Sequence, residues 1–201
     1  MKQGMKMLKC TIASALLVVC MAISHVPSAL AEEGCQVASS VKNIEYGRLR
    51  RESLREARTD IEGKSYKGYA SIERDIQVTV ICPDERKIRL SVDGPARGSK
   101  AFRFSDNGAM RIIAKEARVD SGVVQVAVVP RGSELLTAGA SETALPPGMS
   151  LAALNGQEVT GKQLVVTLSV VTYLNDNAFK VSNTSEIEEL LTVNYETLTA
   201  H

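Results

Sequence analysis

The chain is poor in histidine. It has two, His25 near the start and His201 at the very end, and neither lies inside the stretch that reads as fold. Ser-His-Asp and Cys-His chemistry both need an imidazole within the domain. GxSxG, a Walker loop, GxGxxG and HExxH are absent too. Carboxylate pairs need none of these. Glu188 and Glu189, however, are chain neighbours and in a strand would face opposite ways. The remaining acids fall in turns or at exposed alternating positions. The inventory therefore reads as a non-enzyme that uses no metal and no cofactor. Tryptophan is also absent, aromatics are 4% and the formal net charge is only +1. That balance excludes collagen, a coiled-coil rod, a strongly basic nucleic-acid binder and a long acidic tail.

What is present first is an address. Lys2, Lys6 and Lys9 precede an apolar run from Thr11 to Ile23, and Ala29-Leu30-Ala31 places small residues at −3 and −1 of a cleavage site. Residues 1–31 read as a secretory signal peptide. The apolar run falls short of the roughly 20 residues that span a bilayer. A lipoprotein reading at Cys20 meets Val19 where a small residue is needed. Cleavage takes three of the 24 basic residues and none of the 23 acidic ones, leaving a slightly acidic chain from Glu32 to His201. That length suits one domain.

Cleavage also removes Cys10 and Cys20, leaving Cys35 and Cys82. In an exported protein two cysteines most simply form one disulfide. The rivals are a metal pair and a reactive thiol. Neither has support, since there is no CxxC and no internal His. Closing a loop of roughly 48 residues would stabilise the fold by on the order of 4 kcal/mol.

The remainder reads as short strands. Ile76, Val78, Val80 and Cys82 alternate with polar residues, and so do Ile88, Leu90 and Val92. With Pro83-Asp84 between them, the two runs predict a hairpin turning near Pro83 to Arg86. Phe102 and Phe104 share a face, and Asp106-Asn107-Gly108 is a turn signal. Met110–Ala114, Gly122–Val129 and the run Leu164, Val166, Leu168, Val170 read as further strands. The last run puts Leu191, Val193 and Tyr195 inward. Pro130 to Gly161 reads as a long connection with one short strand near Met149 to Leu154. Strands spaced by turn residues predict an antiparallel β-sandwich.

One stretch is different. Lys42 to Arg58 holds Arg48, Arg50, Arg51 and Arg55 among its six basic residues, and Arg51 to Arg58 could form one or two helical turns. Tyr66 and Tyr69 follow among lysines, in what reads as a loop. Together they form a candidate surface binding patch for an anion or glycan, against the plainer reading of a solvated, salt-bridged edge.

Several of these segments, taken together, resemble a known family. They are Cys35-Gln36-Val37, Ile44-Glu45-Tyr46-Gly47 read as a strand end, the Ile76-to-Cys82 strand, Phe102-Arg103-Phe104-Ser105-Asp106-Asn107-Gly108, Gly161-Lys162-Gln163-Leu164 and Tyr173-Leu174-Asn175-Asp176. The chain is similar to the chaperone–usher fimbrial subunits of Gram-negative bacteria, and within them to a poorly characterised minor or tip-type branch. The resemblance implies an incomplete immunoglobulin-like sandwich lacking its last strand. It implies as partners a periplasmic chaperone, an outer-membrane usher and neighbouring fimbrial subunits, with a surface receptor for an adhesive subunit. It implies passage through the periplasm to the cell surface. Leu191, Val193 and Tyr195 would line the groove that receives a donated strand. The sequence departs from the family pattern at both ends. Only Glu32 to Gly34 precede Cys35 after cleavage, too few to donate a strand, so the chain is expected to accept only. Tyr195 stands six residues from the end rather than next to last, and Val181 to Leu191 contains no Gly. The alternative is a self-complete secreted sandwich that binds a carbohydrate or protein outside any pilus.

Overall fold

The computed structural model describes residues 34–61, 64–134, 138–180 and 189–198. The expected signal peptide, Glu188 and His201 lie outside them. Every named strand pairing is antiparallel, and the described residues contain no α-helix. The expected all-β sandwich with one disulfide is what the chain forms.

Strands β1 (Gln36–Ser39), β2 (Arg55–Ile61) and β3 (Lys64–Ala70) lead into β4 (Arg74–Asp93), which organises the molecule. The expected hairpin at Pro83 does not form, and β4 runs straight through the proline. The reason lies in its partner β13 (Thr160–Leu174). Ile81 is opposite Gln163 and Arg86 is opposite Gly161, so Cys82 to Glu85 face a single β13 residue. The surplus is a bulge, where Pro83 need not donate to a ladder.

Across that bulge β4 passes from one layer to the other. Its first half pairs with β1 and β13. Beyond β13 this layer continues through β7 (Gly108–Val119) to β6 (Ala101–Arg103) and β5 (Ala96–Arg97). β8 (Gly122–Val123) and β10 (Glu142–Ala144) attach to β7. The second half of β4 lies between β14 (Thr192–Leu198) and β11 (Met149–Asn155), with β9 (Gln125–Pro130) and β12 (Gln157–Glu158) on β11. The expected connection from Pro130 to Gly161 has its short strand where expected, as β11, and adds the short strands β10 and β12 beside it.

Two other expectations are corrected. Arg51–Ser53 is a single 3-10 turn and residues 55–61 are strand, so no α-helical turn follows Arg51. Lys64–Ala70 is no loop; it pairs with β2 as a hairpin, and its last residues, Tyr69 and Ala70, extend the β13 edge.

Alternation explains the core. Val78, Val80, Leu164, Val166, Leu168 and Val170 point between the layers and are buried, with Phe102 and Phe104 beside them. Each such side chain contributes roughly 1.5–3 kcal/mol of transfer free energy. Alternation fails in the second half of β4, where Ile88 to Val92 are all buried. Its outer face carries Arg89 and Ser91, and both are covered. Arg89 makes a bidentate pair with Glu158 at 2.7 and 2.9 Å and donates to the Ser133 carbonyl at 2.6 Å.

Gly108 follows the expected turn. A Cβ there would come 2.4 Å from the Phe104 carbonyl oxygen and 2.9 Å from that of Tyr173. Neither backbone atom can step aside. Gly108→Ala should therefore cost about 1–3 kcal/mol by denaturant titration, whereas the same change at Gly47, with nothing within 4 Å, costs only its left-handed backbone strain.

Candidate functional site: a groove between two free strand edges

β14 pairs with β4 along its whole length, from Thr192 opposite Asp93 to Leu198 opposite Lys87. Among the described residues it has no partner on its other side. β1 likewise pairs only with β4. The two layers therefore stay unjoined along one margin.

An open groove of about 1840 Å³ runs there. Its floor is core: Ile76, Val78, Ile112, Leu168 and Val170 all reach it. One wall is the chain leading into β14. Leu191 and Val193 line the groove, with Val193 opposite Val92 in the ladder. Tyr195 faces the core side opposite Leu90 but stands beyond the groove lining, its hydroxyl 3.1 Å from where a Gly34 Cβ would be. Leu190, 82% exposed, sits at the groove mouth.

The opposite wall was not visible as such in the sequence. Residues 41–50 run on from β1 without regular structure, and no backbone hydrogen bond among the described residues holds 42–49. Ile44, Tyr46 and Leu49 pack against the core while their neighbours are exposed. Tyr46 meets Phe104 edge-on at 6.0 Å. Its buried hydroxyl, and that of Thr172, lack a hydrogen-bond partner of good geometry. Burial pushes the Tyr46 phenol up, with Ser71, Arg74 and Thr172 pulling the other way. The expected strand end at Ile44 to Gly47 is not formed, because no neighbouring backbone among the described residues pairs with it, but the inward alternation of Ile44 and Tyr46 is kept.

β14 is held from its outer face. Glu196 accepts from the Ser150 hydroxyl and from the Gly132 amide at 3.2 Å. Asn194 donates to Asp93 at 2.6 Å, and Asp93 also pairs with Arg131. The hydrogen bond from Arg131 is the main cause that holds the Asp93 carboxyl below its ordinary value. Glu73 and Asp75 are lowered as well, first by the Ser169 hydroxyl and then with help from Lys115. A carboxyl whose folded-state value is depressed stabilises the fold fully above its unfolded-state value and loses that contribution as pH falls through the folded-state value. The melting temperature should stay flat from neutral pH to about pH 5 and fall below about pH 4. Asp93→Asn should flatten part of that acid-side fall.

Cys35 and Cys82 are bonded, tying the start of the fold to the bulge of β4. The candidate patch is not assembled as a stacking surface. Tyr69 is buried, with the Arg51 guanidinium 4.9 Å over its ring and Phe179 edge-on at 5.5 Å. Arg51 donates from Nε to the Tyr69 hydroxyl at 2.6 Å and pairs through Nη2 with Asp176 at 3.2 Å. Tyr66 is half-buried and donates to the Asn107 carbonyl at 3.0 Å. Arg48, Arg50 and Arg55 are exposed. Arg48 and Arg50 line the groove, and Arg55 does not. Among the described residues no group of three or more His, Cys, Asp and Glu side chains is placed to hold a metal ion, and no helix is long and apolar enough to cross a membrane.

No family model matches the chain. An uncharacterized protein of Escherichia coli (strain K12), YhcE, is 26% identical over 179 residues, covering 87% of this chain and 93% of that protein. The crystal structure of the P pilus rod subunit PapA aligns with a TM-score of 0.42 at 10% identity, covering 82% of this chain and 99% of that one.

Proposed function

We propose that this protein is a structural, adhesive subunit of a surface fimbria that accepts a donated strand and gives none. One observation carries the reading: a groove floored with core side chains lies between two backbone edges, residues 42–49 and β14, that both lack a partner among the described residues. A single extended strand laid in it would hydrogen-bond on both sides, bury alternate side chains and close the sandwich. The resemblance read from the sequence supplies the expected donors, a periplasmic chaperone in transit and a neighbouring subunit afterwards, with an outer-membrane usher between them. Cleavage after Ala31 would leave Glu32 to Gly34 ahead of Cys35, which the disulfide fixes to β4. Filling such a groove takes at least about five residues at roughly 3.3 Å each, so the accept-only role follows and suits a tip or terminating subunit.

The test is co-expression with a periplasmic chaperone of the fimbrial type. The protein should be recovered as a complex, and poorly without the chaperone. Val193→Asp, which places a carboxylate on the groove wall at a cost of roughly 1–3 kcal/mol, should lower the captured yield severalfold. Val123→Asp, at an exposed position of β8 that does not line the groove, should not. Equal recovery of all forms without a chaperone would point to a self-complete sandwich.

A further inference from the structure

The groove margin is charged unevenly. At the end near Asp176 to Lys180, three of its charges are already spent: Arg51 pairs with Asp176, and Glu189 pairs with Arg103 at 3.3 Å while accepting from the Ser105 amide at 3.1 Å. Arg48, Arg50 and Lys180 line the same end and make no ion pair, and Glu52 is the one further carboxylate there to offset them, among the described residues. At the other end Lys42 and Glu45 balance. Arg48 and Arg50 flank Leu49, which turns toward the core, so the two guanidinium groups stand on the solvent side of the wall.

We propose that the strand received by this groove carries acidic side chains at the outward-facing positions that pass Arg48 and Arg50. The inference rests on the strand-accepting reading above and adds the chemistry of the occupant. In an added strand, side chains alternate between the groove and solvent. Outward residues come within about 4.5–5.5 Å of their cross-strand neighbours, where opposite charges attract and like charges repel. Apolar residues facing inward would set affinity for any strand. The outward charges would choose among strands of equal apolar content, and would do so mainly through the rate of encounter.

The probes are two synthetic peptides of about ten residues, with identical alternating Val, Ile and Leu facing inward. One carries Asp and Glu at the outward positions, the other Lys. Each is added to the folded, exported protein, and association rate, affinity and melting temperature are measured. The acidic peptide is expected to bind on the order of tenfold tighter at low salt. That preference should shrink at 1 M salt, where the screening length is about 3 Å. The double variant Arg48→Glu with Arg50→Glu, on exposed side chains, should keep the fold and reverse the preference. Equal binding of both peptides, or a preference that survives the double variant, would overturn the proposal while leaving a strand-accepting groove in place. If neither peptide binds nor raises the melting temperature, the groove reading and this inference fail together.

Discussion

Glu158→Ala should destabilise the protein by about 3–5 kcal/mol, the largest effect expected of any single side chain away from the disulfide. Arg89 is 1% exposed in the second half of β4, and both Glu158 oxygens answer its guanidinium. Removing the carboxylate leaves a buried cation with the Ser133 carbonyl and, farther off, Glu196, whose charge helps hold the Arg89 proton. The cost is that of an uncompensated buried charge and not the net worth of the pair. Replacing both partners, Arg89→Met with Glu158→Leu, should therefore recover most of the loss. Urea titration of the two variants checks this. A single variant as stable as the parent would mean that water reaches Arg89. Because Arg89 stands two residues from Ser91, opposite Asn194 in β14, the single variant should also loosen the groove wall.

Loss of the disulfide is the second large effect. Cys35 and Cys82 are 47 positions apart, so the bond removes a large part of the unfolded chain's freedom, on the order of 4 kcal/mol in the chain-entropy account. Cys35→Ser with Cys82→Ser should lower stability by about that amount and cut the exported yield sharply. The groove gives the bond a second consequence. Cys35 starts the segment that continues through β1 into the 41–50 wall, and β1 is held by four register pairs with β4 and little else. The double variant should lose strand binding more steeply than it loses global stability. Mass spectrometry finding two free thiols in the exported protein would contradict this account from the start.

Much of the fold was legible because period two is a local signal. Val78, Val80, Leu164, Val166, Leu168, Val170 and the pair Phe102 and Phe104 are buried as their alternation implied. What failed was non-local. Pro83-Asp84 reads as a turn, and only the register jump in β13 reveals that the chain carries on through it. Arg89 reads as solvent-facing, because nothing near it in sequence announces that Glu158 and the chain around Ser133 will cover the outer face. Tyr66 and Tyr69 looked like offered rings, but their hydroxyls and faces are taken by Asn107, Arg51 and Phe179, the last lying 110 positions along the chain from Tyr69. Of the groove, Leu191 and Val193 were legible from alternation. The other wall was not, since residues 41–50 carry more charge than a strand usually does and only Ile44, Tyr46 and Leu49 touch the core.

Amide hydrogen exchange on the folded protein tests the central claim most directly. A groove with two unpartnered edges predicts that amides of residues 42–49, and every second amide of β14, exchange at rates close to those of unprotected chain, while those of β4 and β13 are slow. Adding an alternating apolar strand peptide should protect both edges together and leave β4 and β13 unchanged. If residues 42–49 are already as protected as β13 in the protein alone, or if the peptide protects neither edge, the sandwich is complete by itself and the account is wrong.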